Sequence, residues 1–223
     1  EGIRKAGIAG EVIVSDNGST DASVDIARRL GARVVSCTAK GYGNALRAGF
    51  AAARGEWILM GDADLSYDFS ELPRFWEEIR KGRDLVMGTR LRGTIEDGAM
   101  PPLNRYIGNP ILSGILRLFF RTGVSDAHCG LRAFRRDALA RMNLRTAGME
   151  LASEIIIKAA AAELKIAEIP ITLHRDARGR PPHLKPFRDG WRHLRYMLMM
   201  APNWLFILPG WILCVLGAFI IAI

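Results

Sequence analysis

The chain has 223 residues, 49% of them apolar, enough for one sizeable core plus a membrane-seeking segment, and it carries a formal net charge of +8. Such a surplus suits nucleic acid or an anionic membrane surface, and its placement excludes the first: the basic residues gather beside an apolar stretch, with no base-stacking motif. Cys37, Cys129 and Cys214 are an odd, scattered set without metal-ligand spacing, which fits reduced thiols in a cytosol-facing domain.

Residues 1–10 read as the tail of a helix. Residues 11–16 (EVIVSD) are a short strand-like run ending in a polar turn. Residues 17–21 (NGSTD) then supply turn and capping chemistry before a helical pattern over 24–30. A second strand is expected over 33–37, and Lys40-Gly41-Tyr42-Gly43-Asn44 opens a helix that Gly55 ends. The apolar run 56–60 is a third strand, and Gly61-Asp62-Ala63-Asp64-Leu65-Ser66 follows it at once. Residues 70–81 form a helix with Pro73 in its first turn, and 84–89 (DLVMGT) another strand. Strands alternating with helices imply an α/β fold, with a mostly parallel sheet covered on both faces.

The second half changes character. Residues 103–121 are apolar nearly all round yet carry Arg105, Arg117 and Arg121, and Pro110 interrupts them, so two short helices lying on something apolar are expected. Residues 126–134 (DAHCGLRAF) read as a loop into a strand, 149–164 as a long helix and 165–173 as a last strand. From His174 to Arg195 seven basic residues stand against two acidic ones, a juxtamembrane collar of the kind found on the cytoplasmic side. Phe187, Trp191, Leu194 and Leu198 fall at helical spacing, with Arg188, Arg192 and Arg195 one position later, which predicts a helix lying in the membrane interface. A packed amphipathic surface helix has the same pattern. Residues 204–223 contain no charge and are long enough to span a bilayer, with Pro209 and Gly210 as points where the span can kink.

The acidic pair organises the rest. Two carboxylates one residue apart at the end of a strand project to the same side. Together they can hold a hard divalent cation that also takes phosphate oxygens. In parallel sheets ligands sit outside the carboxyl ends of strands, where Asp16, Asp62 and Asp64 all fall.

Residues 14–21 (VSDNGSTD), 40–45 (KGYGNA) and 61–66 (GDADLS), in that order and spacing, resemble the inverting glycosyltransferases of family 2. Residues 88–90 (GTR), 104–109 (NRYIGN), 126–134 and 168–172 (EIPIT) are similar to the polyprenyl-phosphate sugar synthases, the dolichyl-phosphate mannose synthase group. The resemblance implies a GT-A (Rossmann-like) domain over residues 1–173, with a first strand upstream of Glu1. A basic loop and interfacial helix over 174–200 and the start of a transmembrane region over 201–223 follow. It implies transfer of a hexose from a nucleotide-diphosphate sugar to a dolichyl or undecaprenyl phosphate at the cytoplasmic membrane face, with Mg2+ or Mn2+ as cofactor.

By the same resemblance Asp16, Asn17, Lys40, Gly41 and Gly43 contact the nucleotide sugar, the glycines through backbone N–H groups at a helix N-terminus. Asp62 and Asp64 hold the metal and the diphosphate. Arg90, Arg105 and Asn109 hold the acceptor phosphate, arginine being apt because its planar donors grip phosphate oxygens in pairs. A snorkelling anchor is the other reading of Arg105, and Arg132 either braces the site or pairs across the sheet. The family's basic residue after the last strand has Pro182 in its place here, so Arg180 or His183 substitutes or the loop is built differently. A phosphate acceptor is already ionised and needs no base; a hydroxyl acceptor needs one, with Asp126 the candidate. A membrane-tethered scaffold with a dead transferase fold is the non-catalytic rival, weakened because both acids of the pair are kept.

Overall fold

The structure, a computed structural model, describes Ile3, residues 7–176 and residues 186–221. Strand and helix alternate as the hydrophobic periods require, through β1 (Ile13–Asp16), α1 (Ser23–Arg29), β2 (Arg33–Ser36), α2 (Tyr42–Ala52) and β3 (Trp57–Met60). A 3-10 turn (Phe69–Glu71) leads into α3 (Leu72–Arg80), with Pro73 in its first turn, where the missing N–H costs nothing. There follow β4 (Leu85–Ile95), α4 (Asn109–Phe120), β5 (Arg132–Arg135), α5 (Arg136–Met142), α6 (Leu151–Ala161), β6 (Ile166–Leu173), α7 (Pro186–Met200) and α8 (Leu208–Ile221).

The strands make a parallel β1–β2 pair and a four-stranded sheet of order β3-β5-β4-β6. In the larger sheet β3, β4 and β6 run the same way, and the reversed β5 pairs antiparallel with both of its neighbours. Helices cover both faces. Leu85 and Met87 of β4 enter one core with Leu116 of α4, Met142 of α5, Ile155 of α6 and Met197 of α7. The intervening Val86 enters the other, with Phe75 of α3, Leu131 and Ile171. That alternation is the period of two of a sheet buried on both sides. Helix α2 joins the two sheets: Ser15 on β1 donates to the carbonyl of Ala45, and Phe50 packs edge-on against Phe134 of β5 at 5.6 Å.

One expectation needs correction. Pro110 does not split its segment. A π-helical turn over Asn104–Gly108 widens the backbone just before it, and helical backbone continues into α4 until Arg121 turns left-handed. Pro209 is accommodated the same way, by a π turn over Asn203–Ile207, so residues 203–221 make one 19-residue apolar helix, long enough to cross a membrane and largely exposed, with Trp204 stacked on Phe119 at 4.9 Å. Helix α7 forms where the spacing puts it. Asp189, His193 and Met197, at i, i+4 and i+8, face inward, while Phe187 and Trp191 are 84% and 60% exposed.

Candidate active site

The end of β3 is where the sequence reading placed its chemistry, and the turn there is tightly specified. Leu65 takes φ 63°, the left-handed region that side chains avoid, and leaves its own side chain exposed. Asp64 accepts a hydrogen bond from the Ser66 amide at 3.0 Å, closing the turn. Asp62 is backed by Gly130, where a Cβ would stand only 2.6 Å from its Oδ2, and Gly130 donates its amide to the phenol of Tyr67 at 2.8 Å. Burial pushes the Asp62 carboxyl up, and the neighbouring charge of Asp64 pushes it further. Two carboxylates that repel one another in a half-buried turn are a chemical fit for a divalent cation. Among the described residues no third His, Cys, Asp or Glu completes a metal-holding group with them. Such a cation would therefore fill its shell from phosphate oxygens and water.

Asp62, Asp64 and Arg90 line one cavity of about 650 Å³, together with Tyr42, Asn104, Asn109, His128 and Arg132. Apolar side chains line it as well, among them Ile111, Leu112 and Ile115 of α4 and Phe187, Trp191 and Leu194 of α7. Arg90, at the bend of β4, grips Asp126 from two nitrogens, Nε to Oδ2 and Nη2 to Oδ1, both at 2.8 Å, and its own amide adds a third bond to Oδ2. Burial pushes the Asp126 carboxyl up, yet the guanidinium of Arg90 outweighs it and holds the group below the usual carboxylate range. Glu168 on β6 completes the brace by accepting from the amides of Ser125 and Asp126. With both oxygens bound to Arg90, Asp126 is placed as that residue's counter-ion.

The remaining candidates divide. Arg132 is 1% exposed and donates one N–H from each guanidinium nitrogen to the carbonyls of Cys129, Ala152 and Ala127, so it braces the loop under the cavity. Arg105 stands outside the cavity, its guanidinium 5.3 Å from the ring of exposed Tyr106; its neighbour Asn104 is the lining residue. The amide of Asn109 points to Met100 Sδ at 3.4 Å. Asp16, Asn17 and Lys40 gather beyond the cavity, at the ends of β1 and β2. Asp16 accepts from the amides of Gly18 and Ser19, Asn17 spans to the carbonyls of Cys37 and Ala39, and Lys40 reaches the carbonyl of Asn17. The helix N-terminus they lead to is not a free phosphate cradle: Gly41 gives its amide to Asn17 Oδ1, and Gly43 and Asn44 give theirs to the carbonyl of Ala147. Arg180 and His183 lie outside the described residues.

Sequence reasoning missed Tyr42, whose phenol donates to Asp62 Oδ1 at 3.3 Å, and a pair of histidines under the cavity. The rings of His128 and His193 meet edge to face at 4.5 Å, and His193 Nδ1 bonds Ser153 Oγ at 2.8 Å. Burial pulls His193 down to about 4 from an ordinary 6.5, with Glu150 and Asp189 opposing and Arg132 and Arg192 reinforcing. Burial, then His193, holds His128 well below 6.5 too. The unfolded chain takes up these protons from pH 6.5 downward and the folded chain does not. The stability from keeping them off is therefore whole above pH 6.5 and is lost as the pH falls toward 4, by about 3 kcal/mol for His193 alone. Thermal melts of the full-length protein are expected to drop by several degrees between pH 7.5 and pH 5, and less in His193→Gln. A midpoint indifferent to pH over that range contradicts this.

A profile of the family described as "Glycosyl transferase family 2" matches residues 7–142. The "Low-salt glycan biosynthesis hexosyltransferase Agl6" of Haloferax volcanii is 49% identical over 211 residues, 94% of this chain and 50% of that protein. The "Dolichyl-phosphate hexose transferase" of the same organism is 34% identical over 178 residues, 80% of this chain and 75% of that one. Among solved structures, glucosyl-3-phosphoglycerate synthase from Mycobacterium tuberculosis, in complex with Mn2+, uridine diphosphate and glucosyl-3-phosphoglycerate, superposes with a TM-score of 0.67 at 23% identity, covering 86% of this chain and 69% of that one. That likeness is one of fold, the GT-A α/β fold expected above. The chain thus spans about half the length of the first of these relatives. With the profile covering most of the α/β domain and two relatives at these identities, the chain is a member of glycosyltransferase family 2.

Proposed function

We propose that this chain belongs to an inverting, metal-dependent hexosyltransferase that moves a sugar from a nucleotide-diphosphate donor to a polyprenyl phosphate at the cytoplasmic face of a membrane. The observation that carries this is the mixed lining of one cavity: an acidic pair and a braced arginine share it with apolar side chains of α4 and α7. A lipid phosphate combines the same two characters. The likeness to a dolichyl-phosphate hexose transferase supports the acceptor class.

In this reading Asp62 and Asp64 hold a divalent cation, Mg2+ or Mn2+, which when bound neutralises charge on the nucleotide diphosphate. Arg90 keeps Nη1 out of its pair with Asp126, and that nitrogen faces the acceptor phosphate. Holding the guanidinium rigid through Asp126 and Glu168 orients the acceptor oxygen for in-line attack on the anomeric carbon, which inverts its configuration. A phosphate monoester is already ionised near neutral pH, so no proton has to be removed. The engagement of Asp126 by Arg90 favours this acceptor over a hydroxyl, which would need a base. The exposed Phe187 and Trp191, beside Arg188, Arg192 and Arg195, seat α7 in the lipid interface, and residues 203–221 cross the bilayer.

The test uses membranes containing the full-length protein, a panel of labelled nucleotide sugars, and polyprenyl phosphate beside polyprenol. Label is expected in the lipid extract with the phosphate alone. Transfer to polyprenol, or to no lipid, refutes the acceptor assignment.

A further inference from the structure

The residue that the segment 40–44 contributes to the site is the tyrosine between its glycines. We propose that Tyr42 is the positioning residue of the acidic pair: its phenol, held in place by the docking of the first turn of α2 onto the loop 145–148, orients the Asp62 carboxylate toward a divalent cation. The proposal rests on the metal reading of Asp62 and Asp64 given above.

The mount is built from several independent contacts. The carbonyl of Ala147 accepts from the amides of both Gly43 and Asn44. A Cβ at Gly41 would stand 2.3 Å from that same oxygen, and one at Gly43 would stand 2.4 Å from the carbonyl oxygen of Thr146, so only glycines let the helix approach this closely. Gly41 also needs its φ of 132°. The loop is itself clamped from behind: Glu154, buried on α6, accepts from the amides of Arg145 and Thr146 and from the Thr146 hydroxyl, and pairs with Lys158. The closest contacts in this segment thus serve to seat the start of α2 rather than to leave amides open for a ligand.

What that seating delivers is the Tyr42 hydroxyl, 3.3 Å from Asp62 Oδ1. The other carboxylate oxygen lies against Gly130, so the group is framed on both sides and its plane is set before any ion arrives. A 3.3 Å bond is at the long end for a phenol on a carboxylate, and it can shorten when the ion draws the carboxylate into place. Outer partners of this kind orient metal ligands, and their removal commonly costs 10- to 100-fold in metal affinity.

Tyr42→Phe keeps the ring and removes only the hydroxyl. The measurement is the affinity for Mn2+ alone, read from the free-ion paramagnetic resonance signal on purified full-length protein, with melting curves alongside. About a tenfold loss of Mn2+ affinity at an unchanged melting temperature is expected. Equal affinity in the two proteins overturns the role of Tyr42 while leaving the metal site standing. A loss of affinity no larger than the loss of folded protein also overturns it, because the phenol would then serve packing only. A wild-type protein that binds no Mn2+ overturns the metal reading itself, and this inference with it.

Discussion

Asp64→Asn is expected to lower sugar transfer by a factor of about 10² to 10³ while leaving the melting temperature within a few degrees of the parent. The separation of the two effects follows from the turn. The side-chain oxygen of an asparagine can still accept the Ser66 amide, as Asp64 Oδ1 does at 3.0 Å, so the conformation that puts Leu65 at positive φ is kept. What is lost is one of the two charges facing the cation. Removing a group aimed at developing charge typically costs about 3–4 kcal/mol of transition-state stabilisation, and a hard cation loses a direct ligand at the same time. Transfer should be measured in membranes at saturating Mn2+ and at low Mn2+, where the deficit should widen. Activity within about tenfold of the parent at both concentrations would remove the acidic pair from the mechanism.

The second large effect belongs to the pair formed by Arg90 and Asp126. Asp126 is fully buried and Arg90 nearly so, and they are joined by two side-chain bonds and a backbone bond. Breaking a buried pair by removing one partner strands the other charge, at a cost of about 3–5 kcal/mol. Asp126→Ala and Arg90→Ala should therefore both destabilise the fold strongly, and the double variant by much less than the two single losses added together. Arg90→Lys does not rescue, because an ammonium cannot reproduce the two-point grip. Under the proposed function the same pair bears on what kind of acceptor the site serves. Since Asp126 is held below the usual carboxylate range, it is already ionised wherever the enzyme works. Its replacement should scale the transfer rate down without changing the shape of the pH–rate profile. A profile that loses its acidic limb in Asp126→Asn would show a general base at work and return the hydroxyl-acceptor reading.

Much of the fold was legible because its signals are short-ranged. Strand-to-helix alternation, Pro73 in a first turn and the apolar run after residue 203 are set by neighbours within a few positions, and those elements start within two or three residues of where the pattern puts them, though β4 runs on to Ile95 and the short helix α5 has no counterpart in the pattern. Pro110 was misread because a proline in a helix is relieved either by a break or by a widened turn, and a one-dimensional pattern does not distinguish them. The inward face of helix α7 was not legible: Asp189 and His193 count as solvent-facing on any hydropathy scale, and the buried position of His193 goes with its bond to Ser153 on a neighbouring helix.

The amino-acid sequence by itself determined the order of strands and helices, the two carboxylates at the end of β3 and the apolar helix at residues 203–221, since each depends only on local spacing and composition. Only the tertiary structure decided what the site residues touch. Arg90 finds Asp126 across 36 positions of chain, Tyr42 finds Asp62 across 20, and Arg132 spends its nitrogens on three carbonyls. Side-chain hydrogen bonds form over about 3 Å, and which distant groups come that close is settled by how the sheet is paired and the helices are docked, which no local pattern specifies.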